Sequence, residues 1–245
     1  MSSTDAHISE IFTSIQGEGL YLGERQLFIR FAGCNLSCDY CDTRQATAVT
    51  PEYRMERTAG EGDMKTVKNP AALDELLKIF AEKGKHAHSV SITGGEPLLQ
   101  VDFLKNFLPE LKKNGHKVYL ETNGTLPKHL EEVIEHVDII SMDFKLVSAS
   151  KGDSYLKEHG EFLAVAALKE VFVKAVVAQG TLIKEIDEAA KLIASAGREI
   201  PLVIQPAASK HRIKPADLLA WQLVAKKSLD TVRVIPQAHK GLGAL

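Results

Sequence analysis

The sequence has little cysteine, little aromatic content and almost no net charge. Its 245 residues include three cysteines and one tryptophan, and Phe, Trp and Tyr together make up 6%. Thirty Lys and Arg face 32 Asp and Glu, for a formal charge of −2. A chain this close to neutral has no general attraction to phosphate backbones, so direct nucleic-acid binding is not expected.

Long hydrophobic runs are also missing. No apolar stretch approaches the ~20 residues that a membrane-spanning helix needs, so no membrane association is expected. The first residues lack the basic and apolar segments of a secretory signal, which predicts a cytoplasmic protein. What remains, 44% hydrophobic and 25% charged residues, is typical of a globular protein, and we expect residues 1–245 to form a single domain.

Short runs rich in Val and Ile alternate with amphipathic helical patterns, three of which begin near Leu73, Leu104 and Ile183. This alternation predicts an α/β fold with parallel strands and right-handed crossovers, either a barrel or a doubly wound sheet. The predicted strands are Gln26–Phe31, Ser89–Thr93, Lys117–Thr122, Val137–Asp143, Glu170–Ala178, Pro201–Gln205 and Thr231–Ile235.

One segment, residues 47–70, lacks a sustained apolar period. It is polar and contains two glycines. We interpret it as an irregular insertion between elements rather than as a domain boundary.

Polar and glycine-rich signals follow the predicted strands, where α/β folds place their chemistry. Turn formation explains the glycines among them, but not thiols, carboxylates, amides and a lysine at the same edge. The sequence therefore predicts a reactive site at this edge. In chain order the segments are Cys34–Cys41, Gly94–Pro97, Thr122–Gly124, Asp143–Lys145 and Gln205–Pro206.

The only cysteines, Cys34, Cys38 and Cys41, lie within eight residues, which is a poor disulfide framework. A structural zinc site needs a fourth ligand, and no histidine lies between residues 8 and 85. An iron–sulfur cluster with three thiolates leaves one iron open to another ligand. The spacing favours such a cluster, and a zinc-bound module without catalysis is the alternative.

Cys-x3-Cys-x2-Cys, with Tyr40 before the last cysteine, resembles the signature of the radical S-adenosylmethionine superfamily. The segment Gly94-Gly95-Glu96-Pro97 resembles its second motif. The resemblance implies a 4Fe-4S cluster whose open iron binds S-adenosylmethionine. It also implies an incomplete, TIM-like barrel of about six parallel strands.

A narrower resemblance, to the 7-carboxy-7-deazaguanine synthase family, covers nearly the whole chain. It is carried by Ile15-Gln16-Gly17-Glu18-Gly19, Arg30 and Asp42-Thr43. It implies ring contraction of 6-carboxy-5,6,7,8-tetrahydropterin to 7-carboxy-7-deazaguanine and ammonia, in queuosine or other 7-deazapurine biosynthesis. S-adenosylmethionine would be used catalytically, and Mg2+ would be required. A homodimer and a flavodoxin- or ferredoxin-type electron donor are implied too. The nearest alternative is an activase of glycyl-radical enzymes.

This resemblance also assigns roles to single residues. Cluster ligation falls to the three cysteines and magnesium binding to Thr43. The implied cofactor-binding residues are Tyr40, Asp42, Gly94, Gly95, Glu96, Asn123, Ser141, Asp143, Lys145, Gln205 and Pro206. The implied substrate-binding residues are Ile15, Gln16, Gly17, Glu18, Arg30, Thr93, His239 and Leu245.

Several of these residues have a plainer interpretation. Gly94-Gly95 could form a turn, Arg30 a salt bridge, and Asn123 a helix cap. The tail, residues 237–245, is expected to fold over the substrate with Leu242 turned inward. Histidines other than His239, among them His159, are predicted to lie mostly at the surface.

Overall fold

The computed structural model describes residues 4–38, 41–149, 153–207 and 213–243. The strands in these ranges are β1 (Asp5–Ala6), β2 (Ile8–Ile15), β3 (Arg25–Phe31), β4 (Glu52–Glu56), β5 (Met64–Lys68), β6 (Ala71–Ala72), β7 (Ser89–Gly94), β8 (Val118–Thr122), β9 (Ile139–Phe144), β10 (Glu170–Val177), β11 (Leu202–Pro206) and β12 (Val232–Val234). The helices are α1 (Leu73–Lys83), α2 (Val101–Lys113), α3 (Pro127–Glu131), α4 (Leu156–Ala166), α5 (Ile183–Ala196), α6 (Pro215–Ala225) and α7 (His239–Leu242).

One ten-stranded sheet organises the fold, in the order β12-β11-β10-β9-β8-β7-β3-β2-β4-β5. From β3 to β12 all neighbouring strands are parallel. The sheet is open, because β12 and β5 lie at opposite ends. The predicted incomplete barrel is therefore confirmed, with the three-residue β12 as a seventh parallel strand.

The seven strands predicted from the sequence are present as β3 and β7 to β12, and the three predicted helices as α1, α2 and α5. Their alternating side chains divide the sheet into two faces. Leu27 and Ile29 of β3 belong to the main hydrophobic core with the helices, whereas Phe28 and Arg30 line a cavity on the other face. The carboxyl ends of the strands thus surround a partly enclosed space.

Residues 47–70 are not irregular throughout, contrary to the sequence prediction. They contain the hairpin of β4 and β5, which joins the sheet next to β2. Tyr53 and Met55 point to the core, while Arg54 between them is exposed. This alternation is typical of a strand, but it is short and flanked by charged residues, so the apolar pattern alone does not predict it.

None of the helices in the described ranges is long and apolar enough to cross a membrane. The single tryptophan, Trp221, is 7% exposed and packs in the main core.

Candidate active site

A cavity of about 570 Å³ lies at the carboxyl ends of the parallel strands. Nineteen of the residues that the sequence predicts for the site line it: Ile15, Gln16, Gly17, Glu18, Arg30, Cys34, Cys38, Cys41, Asp42, Thr43, Thr93, Gly94, Gly95, Asn123, Ser141, Asp143, Lys145, Gln205 and His239. Glu96 and Pro206 are described but do not line it, and Tyr40 and Leu245 lie outside the described residues.

The three cysteines occupy one loop, which begins directly after β3. All three line the cavity and are partly buried. Burial raises the pKa of the Cys34 thiol. Three thiols on one loop that face one cavity can converge on a shared centre, either a cluster or a metal ion.

Gly94 and Gly95 allow β7 to pack against this loop. A Cβ on Gly95 would lie 2.2 Å from the carbonyl oxygen of Gly33, and one on Gly94 would lie 2.4 Å from that of Phe31. The Glu96 amide donates to the Gly33 carbonyl at 2.8 Å, and the Gly33 amide to that of Ala46. Both glycines are therefore needed for a close backbone approach that fixes the start of the cysteine loop.

Glu96 joins the end of β7 to the end of β8 and does not itself line the cavity. Its Oε1 accepts from the Leu98 amide at 3.1 Å and the Thr122 hydroxyl at 2.9 Å, and its Oε2 from the Asn123 amide at 2.7 Å. Burial raises the pKa of Glu96 to about 7 against these three donors. Its side chain is thus engaged within the protein, and the carbonyls of the neighbouring glycines are the groups nearer to a ligand.

Asn123 connects β8 to the cysteine loop. Its Nδ2 donates to Oδ1 of Asn35 at 2.9 Å, and its Oδ1 accepts from both the amide and the hydroxyl of Thr125. The Asn123 carbonyl lies 3.2 Å from Nε2 of His159. The side chain therefore braces the loop and lies on the cavity wall, and it does not cap a helix, because α3 begins at Pro127 with Leu126 as its N-cap.

His159 is fully buried, contrary to the prediction of a surface position. Its ring lies 4.3 Å from that of Phe144, and burial lowers its pKa to about 4. The helix α4 that carries it packs against α3 and α5. His159 lies on the buried face of this helix with Phe162, Leu163 and Ala166.

A buried ion pair joins the two sides of the cavity. Lys174 Nζ lies 2.6 Å from Oε2 of Glu18, and their side chains are 6% and 17% exposed. Burial alone would raise the pKa of Glu18, but the Lys174 ammonium outweighs it and holds that pKa at about 2. The sequence analysis missed Lys174, because a lone lysine within an apolar strand gives no motif.

Gln16, Glu121 and Thr93 form a hydrogen-bonded chain along the cavity. Glu121 accepts from Nε2 of Gln16 at 2.8 Å and from the hydroxyl of Thr93 at 2.9 Å. Gln16 Nε2 also donates to Gln26, and its Oε1 accepts from the Glu18 amide. The Gln16 amide is fully engaged, so its side chain orients the Ile15–Gly17 loop.

Arg30 shows both the salt bridge and the cavity position that the sequence left open. Its Nε donates to Glu10 at 2.8 Å, and its guanidinium lies 5.7 Å from the centre of the Phe12 ring. Glu10 also pairs with Arg54 at 2.6 Å. Two guanidinium groups share one carboxylate, and of the two arginines Arg30 is the one that lines the cavity.

Near the ends of β9 and β11, two buried side-chain oxygen atoms have no hydrogen-bond donor among the described residues. Lys145 Nζ lies 2.7 Å from Oδ2 of Asp143, while Oδ1 of Asp143 is buried without a hydrogen-bond partner among the described residues. Oε1 of Gln205 is likewise buried and unpartnered. Unsatisfied buried acceptors are costly, so these two atoms suit a ligand with amino groups, as S-adenosylmethionine has.

Oxygen groups that suit Mg2+ stand on the same side as the cysteine loop. The Thr43 hydroxyl lies 3.9 Å from the Cys41 sulfur. Glu18, Asp42 and His239 bring three potential ligand atoms within 4.8 Å of one another. Lys174 and Lys240 already pair with the two carboxylates. Free cation-binding capacity is therefore limited there, and Thr43 stays the simpler candidate.

The described part of the tail, residues 237–243, contributes side chains to the cavity wall. The Ala238 amide donates to the Gly17 carbonyl at 2.9 Å, and His239, Gln237 and Lys240 line the cavity. Leu242 does not turn inward: it is 64% exposed, because the polar residues of α7 take the inner side. Gln237 also lines the cavity and was not among the predicted site residues, although it belongs to the tail, residues 237–245.

Comparison with known proteins supports what this geometry indicates. Residues 28–199 match the model of the Radical SAM superfamily. The chain is 44% identical over its full length, and the full length of the relative, to the 7-carboxy-7-deazaguanine synthase of Geobacter sulfurreducens. It is 34% identical to that of Methanopyrus kandleri, covering 96% of this chain and 92% of the relative. The crystal structure of QueE from Escherichia coli matches with a TM-score of 0.62 and 22% identity, over 96% and 95% of the two chains.

A three-cysteine loop at the carboxyl ends of an open parallel barrel, together with this match, defines a radical S-adenosylmethionine enzyme. That superfamily implies a 4Fe-4S cluster and S-adenosylmethionine as cofactors. Within it, the chain belongs to the 7-carboxy-7-deazaguanine synthase family.

Proposed function

We propose that the protein converts 6-carboxy-5,6,7,8-tetrahydropterin to 7-carboxy-7-deazaguanine and ammonia, with Mg2+ and catalytic use of S-adenosylmethionine, in 7-deazapurine biosynthesis. The observation that carries the proposal is one cavity walled by both the cysteine loop and the Gly17–Glu18 loop. Full-length relatives are named for this product. Residues 1–245 would act as one catalytic unit, with residues 237–245 as its substrate-covering tail.

Cys34, Cys38 and Cys41 would hold the cluster, which with S-adenosylmethionine supplies radical hydrogen abstraction when bound. The protein's own contribution is orientation and exclusion of water. The buried acceptors on Asp143 and Gln205 would receive amino groups of the cofactor. The carbonyls of Gly94 and Gly95 stand beside the loop for the same purpose, and Tyr40 is assigned to the cofactor by resemblance alone.

The substrate carboxylate would bind to Arg30, whose side chain lines the cavity and shares its Glu10 partner with Arg54. A guanidinium grips a carboxylate bidentately, and the stacked rings of Phe12 and Phe28, 4.9 Å apart, form the apolar wall beside it. The Ile15–Gly17 loop, Thr93 and His239 would read the rest of the heterocycle. Leu245 is placed with the substrate by resemblance alone.

An anaerobic assay tests this proposal. Reconstituted, reduced protein is mixed with S-adenosylmethionine, Mg2+ and the carboxytetrahydropterin, and products are identified by mass. We expect carboxydeazaguanine in large excess over 5′-deoxyadenosine. Deoxyadenosine without deazaguanine would contradict the substrate and favour an activase. A protein that binds zinc and no iron would contradict the whole assignment.

The magnesium site is tested with two variants of Thr43. Thr43→Val keeps the shape but removes the hydroxyl, and we expect it to need more Mg2+ for half-maximal rate. Thr43→Ser keeps the hydroxyl and should stay near the wild-type requirement. Equal Mg2+ dependence in both variants would remove Thr43 from the metal site.

We also propose a homodimer and a flavodoxin- or ferredoxin-type electron donor. Light scattering of the reconstituted protein tests the first proposal, with a monomer mass as the contradicting result. Turnover driven by purified flavodoxin or ferredoxin with its reductase, in place of a chemical reductant, tests the second.

A further inference from the structure

The tail, residues 237–243, is fastened to two loops at once. On one side the Ala238 amide donates to the Gly17 carbonyl at 2.9 Å. Contact there is so close that a Cβ on Gly17 would lie 2.3 Å from Nδ1 of His239. The glycine at position 17 therefore serves to let the tail lie directly on the loop after β2.

On the other side, one side chain reaches both loops. Nε2 of Gln237 donates to Oε1 of Glu18 at 2.6 Å and to Oδ2 of Asp42 at 3.0 Å. Lys240 completes the arrangement, with Nζ 2.6 Å from Oε1 of Gln237 and 3.2 Å from Oδ2 of Asp42. A single neutral amide thus joins two carboxylates and one ammonium.

The position of Asp42 makes this contact consequential. Asp42 stands between Cys41 and Thr43, in a stretch with no helix or strand of its own. Its side chain is 42% exposed and makes a hydrogen bond to Gln237 and an ion pair with Lys240. The tail therefore restrains the end of the cysteine loop through Asp42.

Electrostatics explains why an amide suits this position. Glu18 and Asp42 approach each other closely, and like charges at such distances repel. The two N–H groups of one amide serve both carboxylates, while Lys174 and Lys240 balance the charge from either side.

We propose that Gln237 is a positioning residue that couples the substrate-side loop at Gly17–Glu18 to the cysteine loop at Asp42. It holds both in the relative placement that the cavity needs. The inference rests on the proposed function for the roles of these loops, but the coupling itself is a property of the folded chain.

The test compares Gln237→Ala with Leu223→Ala, an exposed position on α6 away from the cavity, in the reconstituted full-length protein. Amide hydrogen exchange is followed by mass spectrometry in peptides that cover residues 14–20 and 41–47. Loss of a hydrogen bond to a charged group predicts about tenfold faster exchange in both peptides for Gln237→Ala. KM for the pterin should rise by about tenfold, with a smaller change in kcat. Leu223→Ala should match the wild type.

A double variant that swaps the hydrogen-bond donor and acceptor between positions 237 and 42 distinguishes loss of the coupling from a general loss of packing. Gln237→Glu places a third carboxylate between two others and should release both loops. Adding Asp42→Asn restores an amide–carboxylate contact on the Asp42 side alone. We expect protection to return in residues 41–47 and not in residues 14–20.

Unchanged hydrogen exchange in either loop of Gln237→Ala would overturn the coupling. So would a failure of the Gln237→Glu/Asp42→Asn double variant to restore protection in residues 41–47. These results are independent of product formation. If the wild type makes no deazaguanine but hydrogen exchange is faster in both loops of Gln237→Ala, the coupling stands and the substrate assignment fails. If product forms with unaltered KM in Gln237→Ala, the positioning role fails and the substrate assignment stands.

Discussion

At the scale of single residues, the cavity depends on buried charges that the protein itself neutralises. Glu18 and Lys174 are the main case, because each is removed from water and each is the other's counterion. Removing one partner of such a pair costs more stability than replacing both by apolar residues, because the remaining charge stays buried. Their contribution is therefore best measured by removing one partner and then both.

Glu18→Gln should lower the free energy of unfolding at pH 7 by up to about 3–5 kcal/mol, because it removes the carboxylate paired with the buried Lys174 and leaves only Glu121 and Asp143 to balance its charge. Replacing Lys174 by Met in the same chain should recover most of that loss. Urea unfolding of the three proteins measures it. Equal stability of the single variant and the wild type would mean that the pair is solvated.

The same carboxylate predicts an acid effect. The pKa of Glu18 is about 2 in the folded protein, below its ordinary value of 4.5, so its ionised form stabilises the fold. This stabilisation is complete above pH 4.5 and is lost as the pH falls towards 2.

His159 acts in a higher pH window. Burial lowers its pKa to about 4 from an ordinary 6.5, so the unfolded chain binds its proton first as the pH falls. The contribution of His159 to stability is complete above pH 6.5 and falls by about 3 kcal/mol on acidification to pH 4. Glu96, whose pKa burial raises to about 7, adds stability over the same range as it takes up its proton. We therefore expect the stability of His159→Gln, relative to the wild type, to rise as the pH falls from 7 to 4, whereas the exposed His86→Gln should follow the wild type. A constant difference between His159→Gln and the wild type over this range would contradict the assignment.

At the scale of elements, the end of β7 and the start of the cysteine loop form one backbone joint. Gly95→Ala would place a methyl group 2.2 Å from the Gly33 carbonyl, where backbone has to move. We expect reduced iron content after reconstitution and a loss of roughly 1–3 kcal/mol of stability. Gly160→Ala, which meets only the end of the Leu192 side chain, is the control. Full iron loading of Gly95→Ala would show that the joint tolerates displacement.

The β4–β5 hairpin is held by a buried carboxylate. Glu56 is 1% exposed and accepts from the amides of Thr13, Gly60 and Gly62. Glu56→Ala leaves the buried Thr13 amide without its acceptor, at a cost of about 1–3 kcal/mol. Glu61→Ala, exposed in the same turn, should be neutral. Thermal unfolding distinguishes them, and equal midpoints would show that water replaces the carboxylate.

The parallel elements could be predicted from the sequence because apolar runs and helical periods alternate without interruption. The hairpin could not, because its two inward residues, Tyr53 and Met55, are separated by a charged one and flanked by glutamates. Strand β2 was missed for a related reason: Glu10, Thr13 and Ser14 interrupt its apolar residues. Glu10 is buried there only because Arg30 and Arg54 pair with it.

At the scale of the whole molecule, the site is built from both ends of the chain. Motif spacing could predict the cysteine loop and the strand-end residues, since parallel strands bring their carboxyl ends together. It could not predict Lys174, nor that Asn123 and Gln16 are engaged by protein partners, because those facts depend on side-chain packing across strands. Glu96 shows the same limit: its motif is recognisable, but its burial is not.

This construction predicts that extensions at the two termini differ in effect. A histidine tag fused after residue 245 would extend the tail next to Gln237 and His239, so we expect KM for the pterin to rise. The same tag before residue 1 should leave KM unchanged. Steady-state assays of both fusions test this prediction. Equal KM values would show that the tail keeps its place at the cavity when it is extended.

The bond from Gln237 to Glu18 joins residues 219 positions apart. Translation runs from the amino terminus, so the ribosome completes the cysteine loop long before β8 to β11 and the tail exist. At about 5–20 residues per second, the remaining roughly 200 residues take about 10–40 s. For that time three thiols stand on an unfinished sheet, open to oxidation and to stray metals. Iron and sulfide delivered after release of the chain would meet a finished cavity, so assembly in cells should favour reducing conditions during synthesis and cluster insertion after it.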